Sequence, residues 1–287
     1  MQGILLAGGM GTRLSPTTQA INKHLILIYD KPMIYYPLTT LMLAGVREIS
    51  LVSTAAGMSQ FRELLGDGSQ WGINLRFVIQ PTPDGIADGI AIALNGLSTS
   101  ESVLTILGDN IFYGQGLGRH IADLSIGAKC MIWTQEVSNP ESFGIVTQKE
   151  DGTIESIVEK PRDKRGNLAI TGLYYFPSNI NELVGKTSKS HRGEYEITEI
   201  LNSYLAKDAI NSEILSRGVY WLDAGTVENL IEASQFVRLV QNRQGQLIGS
   251  PDEAALRMNF ISSGQFQVLV TKMSDSAYKE QLLKIII

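Results

Sequence analysis

The sequence has a single cysteine, few charged residues and no long apolar run, and each absence excludes a class of protein. One cysteine, Cys130, excludes an intramolecular disulfide framework and any metal site built from several cysteines. Its apolar neighbours predict a buried thiol. No apolar run approaches the ~20 residues of a transmembrane helix, and no basic leader precedes the first strand pattern, so we expect a cytoplasmic protein with no membrane partner.

Positive charge is also scarce, which bears on possible partners. The 287 residues carry a net charge of -5 with a pI of about 5.3, and charged residues make up 18% of the chain. This charge argues against a surface that follows a phosphate backbone as a whole, and we expect no nucleic-acid partner, although a local basic pocket can still bind a small anion. A hydrophobic share of 44% predicts a compact globular protein.

The first half of the chain alternates short β-type runs with helical patterns. Strand patterns cover 3–6, 49–52, 75–80 and 103–107, and helical patterns cover 33–44, 59–65 and 85–97. This alternation is typical of an α/β fold with a mostly parallel central sheet and helices on both faces. We therefore predict a Rossmann-like sheet for this part.

The pattern changes after residue 127, where closely spaced strands predict a small β-meander laid over one end of the sheet. From Thr226 onward the sequence is mostly helical, with a long amphipathic candidate at 227–244 and three shorter pieces. We predict an α/β core at 1–226, which includes the strand-rich region at about 128–222, and a helical C-terminal part at 227–287. We expect the helical part to pack on the core and to take part in subunit contacts.

A glycine-rich loop follows the first strand pattern, where open α/β sheets bind ligands. Gly8, Gly9 and Gly11 allow backbone N–H groups to approach a phosphate, and the Arg13 guanidinium can bind phosphate oxygens. Leu14 stands where a dinucleotide fingerprint needs its third glycine, and no Gly-Lys-Ser/Thr follows to make a P-loop. A triphosphate is the ligand that this loop suits best, while a simple tight turn remains the alternative.

A set of ordered motifs then makes a specific resemblance. The loop at 8–14 is followed by Pro16, Lys23 and Lys31-Pro32, and further motifs lie at 29–38, 65–72, 80–85, 108–114 and 221–226. Together they resemble the sugar-phosphate nucleotidyltransferase family over nearly the whole chain, and they are most similar to its glucose-1-phosphate thymidylyltransferase branch. The resemblance implies a Mg²⁺-dependent enzyme that makes dTDP-glucose and pyrophosphate from dTTP and glucose 1-phosphate, for dTDP-sugar biosynthesis.

The resemblance also implies a role for each matched residue. The catalytic cations would be Arg13 and Lys23, and Asp109 and Asp223 would hold Mg²⁺. The nucleotide would be bound by Leu6, Gly8, Gly9, Gly11, Thr12, Gln80, Gly85 and Asp109. The sugar phosphate would be bound by Gly144, Glu159, Lys160, Gly172, Tyr174 and Arg192. The three histidines never fall at metal-ligand spacing, and we expect them to be structural or surface residues.

The chain departs from the family pattern at three places. Leu27 replaces a proline soon after Lys23, and Ser142 and Phe143 replace an arginine and a tyrosine beside the expected sugar pocket. Asp88-Gly89-Ile90 replaces Gln-Ala-Phe beside the nucleotide. These changes leave open another hexose 1-phosphate or UTP as substrate.

Two other classes of function remain as alternatives. One is a regulatory homologue that binds nucleotide sugars without turnover, against which the intact Arg13, Lys23, Asp109 and Asp223 weigh. The other is a nicotinamide oxidoreductase, which the missing third glycine disfavours. Family members are homotetramers, so the resemblance also implies a homotetramer.

Overall fold

The computed structural model describes residues 1–97, 101–163 and 166–285. The strands are β1 Gln2–Leu6, β2 Leu27–Ile28, β3 Lys31–Pro32, β4 Glu48–Ser53, β5 Asn74–Ile79, β6 Val103–Leu107, β7 Asn110–Tyr113, β8 Cys130–Glu136, β9 Gly144–Gln148, β10 Ile154–Glu159, β11 Leu168–Phe176, β12 Ile210–Ile214 and β13 Tyr220–Asp223. The helices are α1 Tyr35–Leu43, α2 Ala55–Leu65, α3 Ile86–Leu94, α4 Leu117–Leu124, α5 Ile180–Val184, α6 Ile197–Leu205, α7 Val227–Gln244, α8 Pro251–Arg257, α9 Ser263–Lys272 and α10 Ala277–Leu283.

The predicted parallel sheet is confirmed. β1 pairs in parallel with β4 and β6, and β5 pairs in parallel with β4. Residues 3–6 of β1 are buried, as expected of a strand with both faces covered. The full order is β10-β9-β11-β6-β1-β4-β5, and β8 joins β11 to β12.

Helices cover both faces of this sheet, as predicted. On one face Leu38, Leu41 and Met42 of α1 pack in a large apolar core, and on the other Ala87 and Ile90 of α3 pack in a second core. Cys130 is fully buried in the second core, and burial raises the pKa of its thiol. The prediction of a buried cysteine is therefore confirmed.

The strands after residue 127 differ from the prediction in one respect. They extend the central sheet, whereas we expected a meander lying over one end of it. β11 is inserted between β6 and β9 and is antiparallel to both, and β12 is parallel to β8. The reason is that β11 is buried along almost its whole length, so it needs a partner on each side and a helix layer on each face.

The helical C-terminal part contacts the sheet region through its longest helix. Its long helix α7 has the predicted bounds and begins at the Thr226 side chain, which accepts a hydrogen bond from the Asn229 N–H. Ala233 and Val237 of this helix are buried against Ile28. No helix in the described residues is long and apolar enough to cross a bilayer. The boundary at 226 and a role in subunit contacts remain predictions, and residues 286 and 287 lie outside the described residues.

Candidate active site

The carboxyl ends of the parallel strands bring the predicted nucleotide-binding residues to one edge of the sheet. Leu6 ends β1 and leads into the glycine loop, and Gln80 directly follows β5. The Gly108 N–H donates to the Leu6 carbonyl at 2.8 Å, which places Asp109 beside the same loop. Thr12 begins a short 3₁₀ turn after Gly11 and is exposed. The sheet order therefore explains why segments distant in sequence meet here.

Lys23 lies across the glycine loop. A Cβ atom on Gly11 would come within 2.9 Å of the Lys23 Cβ, and one on Gly9 would come within 3.3 Å of the Lys23 Cε. The Lys23 ammonium donates to Asp109 Oδ2, and both side chains are largely buried. Lys23 therefore joins the glycine loop to a carboxylate.

Asp223 reaches the same place through a two-stranded ribbon that the sequence did not predict. β7 and β13 pair in antiparallel register with Asp223 opposite Asn110, and the Ala224 N–H donates to the Asp109 carbonyl at 2.9 Å. Burial and the charge of Asp109 raise the pKa of Asp223 to about 6. Burial alone would raise the pKa of Asp109, but the charges and hydrogen bonds around it, with Lys23 the chief contributor, together lower it. Two buried carboxylates thus interact, and one has a cationic partner.

These two carboxylates are suited to a divalent cation. Within the described residues no group of three or more His, Cys, Asp or Glu side chains could hold a metal ion. An ion here would therefore complete its shell with water and with the oxygens of a bound ligand. That mode of binding is typical of cations that act on phosphates.

A cavity of about 180 Å³ opens beside the carboxylates and collects most of the predicted substrate site. The predicted residues that line it are Arg13, Asp109, Gly144, Glu159, Lys160, Gly172, Tyr174 and Asp223. The structure thus brings one predicted catalytic cation, both predicted metal ligands and five of the predicted sugar-phosphate residues to a single pocket. The roles of these residues remain predictions.

Arg192, the sixth predicted sugar-phosphate residue, lies at the edge of this group. Its guanidinium Nη1 is 3.5 Å from Glu159 Oε1 and 3.3 Å from Glu196 Oε1. Burial and the charge of Glu196 raise the pKa of Glu159, and the cations of Lys160 and Arg192 act against this. Glu159 is therefore an acceptor beside two cations and a second carboxylate, an arrangement that suits a ligand with both hydroxyl and phosphate groups.

Gly172 shapes the floor of the cavity. It lies in a bulge of β11, between Ile170 and Tyr174, where the pairing register with β8 shifts. Its φ of 78° is in the left-handed region, and a Cβ there would come within 2.8 Å of Leu107 and 2.9 Å of the Asn110 amide. Only glycine fits this conformation and this space.

Gln80 makes a close approach to the glycine loop. Its side-chain oxygen would lie 2.4 Å from a Cβ on Gly8, so a larger residue at position 8 would displace the amide. Its Nε2 donates to Asp88 Oδ2 at 2.7 Å and to the Gly85 carbonyl at 3.3 Å. Gln80, Gly8 and Gly85, predicted from separate motifs, are therefore neighbours.

Sequence reasoning missed several contributors to the site. Trp221 donates from its indole N–H to Asn110 Oδ1, and the Asn110 amide donates to Asp109 Oδ1 at 3.1 Å. Thr198, at the start of α6, also lines the cavity. Asn110 and Trp221 stand within motifs that carried the resemblance, so their positions were a usable signal. Asp88 stood out only as a departure from the family pattern, and the sequence gave no sign of its contact with Gln80, which lies on another element.

His24 is a structural residue, as expected, and it is buried next to Lys23 and Asp109. It is 1% exposed, and Asn22 Oδ1 accepts from its backbone N–H at 3.0 Å and lies 2.8 Å from its Nδ1. The neutral ring therefore carries its proton on Nδ1. Burial and the charge of Lys23 lower the pKa of His24 to about 3, against a smaller opposing effect of Asp109.

This depressed pKa predicts a pH-dependent stability. The unfolded chain binds a proton at His24 near pH 6.5 and the folded chain only near pH 3, so stability is fully present above 6.5 and is lost as the pH falls. The loss should reach about 2 kcal/mol at pH 5. Urea unfolding of the wild type and the His24→Gln variant at several pH values measures it, with replacement of the exposed His191 as control. A constant difference between wild type and variant would contradict the prediction.

Comparisons with known proteins show the family to which the chain belongs. The family model described as "Nucleotidyl transferase" matches residues 2–239. Glucose-1-phosphate thymidylyltransferases of Mycolicibacterium smegmatis and Mycobacterium tuberculosis are 42% and 43% identical to this chain over 289 aligned residues, which cover 100% of it and 99% of each relative. The crystal structure of a candidate glucose-1-phosphate thymidylyltransferase from Bacillus anthracis, in complex with a sucrose, has a TM-score of 0.76 and 31% identity, covering 83% of this chain and 95% of that one. The chain therefore belongs to the nucleotidyl transferase family, in the branch of the glucose-1-phosphate thymidylyltransferases.

Proposed function

We propose that the protein makes dTDP-glucose and pyrophosphate from dTTP and glucose 1-phosphate. The observation that carries the proposal is the convergence of Asp109 and Asp223 with Arg13 in one cavity, while Lys23 joins Asp109 to the glycine loop. We assign the nucleotide to the side of this cavity where Gln80 and the glycine loop lie, and the sugar to the side where Glu159 lies. The full-length similarity to enzymes of this name supports the choice of substrates.

The reaction joins two anions. A phosphate oxygen of glucose 1-phosphate forms a bond to the α-phosphorus of dTTP, the bond from that phosphorus to the β-phosphate oxygen breaks, and pyrophosphate leaves with the electron pair. The attacking oxygen is already ionised at neutral pH, so no general base is needed. The protein must hold the two substrates in line and offset their charge, which is the task of Arg13 and Lys23.

We further propose that the cation is Mg²⁺, held by Asp109 and Asp223. When bound, it would supply positive charge beside the reacting phosphate oxygens. Lys23 offsets the charge of Asp109 in the absence of the ion. If a bound cation took over the charge of Asp109, the flexible Lys23 side chain would be able to turn toward the triphosphate.

The sugar phosphate is assigned to the residues around Glu159. Glu159 accepts hydrogen bonds from sugar hydroxyls, and the cations of Lys160 and Arg192 bind the phosphate. Gly144 leaves room for the sugar, since a Cβ there would come within 3.3 Å of both Glu159 Oε2 and Thr198. Tyr174 lies against the floor of the pocket beside Gly172.

The test is a pyrophosphate-release assay of the purified protein with Mg²⁺. Four nucleoside triphosphates are each combined with several hexose 1-phosphates, and products are separated by chromatography. We expect the highest kcat/KM with dTTP and glucose 1-phosphate, and UTP as a weaker substrate, because the missing thymine methyl is worth ~1–3 kcal/mol. Binding of dTDP-glucose without pyrophosphate release from any pair would contradict the proposal and favour a regulatory protein.

The raised pKa of Asp223 predicts that divalent cations bind more weakly in mild acid. Because a proton competes with the cation for this carboxylate, affinity should fall about tenfold per pH unit below 6 and level off above it. An ordinary carboxyl would begin to compete only near pH 4. Titration of the substrate-free protein with Mn²⁺, followed by electron paramagnetic resonance, measures the effect. A flat profile between pH 5 and 7 would contradict it.

We also propose that the protein is a homotetramer. The exposed face of α7 carries Val227, Ile231 and Leu239, which are apolar and about half exposed in the single chain. Light scattering of the purified protein should give about four times the chain mass of 31.4 kDa. A monomer mass would contradict the proposal.

A further inference from the structure

The amide nitrogen of Gln80 is fully used within the protein. The residue is 4% exposed. One amide hydrogen of Nε2 is directed to Asp88 Oδ2 at 2.7 Å, and the other to the Gly85 carbonyl at 3.3 Å. Since an amide nitrogen has two hydrogens, none remains for a ligand while these bonds are kept.

The amide oxygen of the same side chain has no donor. Among the described residues, no backbone or side-chain group donates a hydrogen bond to Gln80 Oε1, although the side chain is almost completely buried. The oxygen is directed toward Gly8 at the carboxyl end of β1, in the space that a Cβ on Gly8 would occupy. The oxygen is therefore available to accept a hydrogen bond from a ligand that enters beside the glycine loop.

Asp88 determines whether Gln80 presents its amide oxygen or its amide nitrogen to a ligand. An ionised carboxylate can only accept hydrogen bonds, so it requires Nε2 on its own side and directs Oε1 toward the glycine loop. The Gly85 carbonyl favours the same orientation, but at 3.3 Å it makes a weaker contact than the carboxylate at 2.7 Å. A glutamine, the family residue at this position, could donate or accept and would leave only this weaker preference, which Asp88 strengthens.

Hydrogen bonds and an ion pair hold the segment around Asp88 in place. It lies in the first turn of α3, and the loop before this helix is held by the Tyr195 N–H, which donates to the Asp84 carbonyl at 2.7 Å. The Ala87 N–H in turn donates to the Tyr195 carbonyl at 3.2 Å. Lys189 adds an ion pair with Asp84 of the same loop, at 2.9 Å. Asp88 thus belongs to a cross-linked turn that can hold Gln80 in one orientation.

We propose that Asp88 is a positioning residue that selects the base through Gln80. The fixed amide oxygen accepts from a ring N–H that is flanked by carbonyl groups, as in thymine and uracil, and it opposes the lone pair on the corresponding nitrogen of cytosine. The inference rests on the proposed function, which places a pyrimidine nucleotide beside Gln80. It adds that rejection of cytosine depends on a carboxylate that does not touch the base.

The test compares dTTP and dCTP binding to the wild type and to the Asp88→Asn variant by calorimetry, without sugar phosphate. We expect the wild type to bind dTTP at least 100-fold more tightly than dCTP. In the variant the ratio should fall at least tenfold, mainly because dCTP binds more tightly, since asparagine lets the Gln80 amide turn over. Equal weakening of both nucleotides, or an unchanged ratio, would overturn the inference.

The matched control is Asp84→Asn, which removes a carboxylate on the same turn that pairs with Lys189 and makes no contact with Gln80. It should leave the ratio unchanged, and a fall equal to that of Asp88→Asn would overturn the inference. Melting temperatures show whether each variant is folded, and Asp88→Leu serves as a second variant if asparagine destabilises the turn. Selective dTTP binding without pyrophosphate release would refute the proposed function and leave the inference standing.

Discussion

Replacing Arg13 with alanine is expected to lower kcat by about three orders of magnitude and to leave the stability of the protein unchanged. Arg13 is exposed, lines the cavity with Asp109 and Asp223, and takes part in no ion pair within the described residues. Its charge is therefore free to bind the triphosphate and the leaving pyrophosphate. Loss of one such electrostatic contact costs roughly 3–4 kcal/mol of transition-state stabilisation.

Steady-state kinetics with dTTP and glucose 1-phosphate measure this effect, and thermal melting checks the fold. Arg13→Lys keeps the charge and loses the planar two-point contact, so it should recover only part of the rate. The control is Arg243→Ala, which removes an exposed arginine from the last turn of α7. A kcat within tenfold of the wild type for Arg13→Ala would show that another cation carries this role.

The second large effect is expected for Asp223→Asn, which should lower kcat/KM by about 10³ while raising the melting temperature of the metal-free protein at pH 8. Activity should fall because the proposed cation would lose one of its two carboxylates. Stability rises because the raised pKa of Asp223 means that its ionised form is disfavoured in the folded state, beside Asp109 and away from water. Asparagine is neutral and can still accept from the Gly225 N–H, as Asp223 does at 2.9 Å.

Opposite changes in activity and stability separate this explanation from simple damage to the fold. Excess Mg²⁺ should restore part of the activity, because Asp109 remains. Asp123→Asn, an exposed aspartate on α4, serves as the control and should change neither quantity. A variant that loses activity and melts at a lower temperature would indicate that Asp223 has a structural role instead.

The sequence predicts the parallel part of the fold well because the signals are local. The apolar runs of β1 and β6 predict that both strands are buried along their length, and the glycine loop directly follows β1. The convergence of Asp109 with Asp223 is a different case. It depends on the β7–β13 ribbon, a pairing between distant segments that no local pattern encodes, and only the resemblance indicated it.

Two other features could not be predicted, and both depend on tertiary packing. The position of β11 inside the sheet depends on which neighbours cover it, and a run of apolar residues is compatible with either an edge or a centre. The contact of Asp88 with Gln80 joins a helix to the end of a strand, and its consequence depends on which end of an amide faces a carboxylate. The sequence showed that position 88 departs from the family pattern and gave no sign of its partner.

The place of β11 has a consequence for how the molecule folds and for how it can be divided. This strand pairs with β6 from the parallel part of the sheet and with β8 and β9 from the strands that follow residue 127. Neither side can close its hydrogen-bonded ladder alone, so we expect one cooperative transition on denaturation. If the chain were cut before residue 168, the N-terminal piece would lack β11. The two pieces would then have to associate before either became ordered.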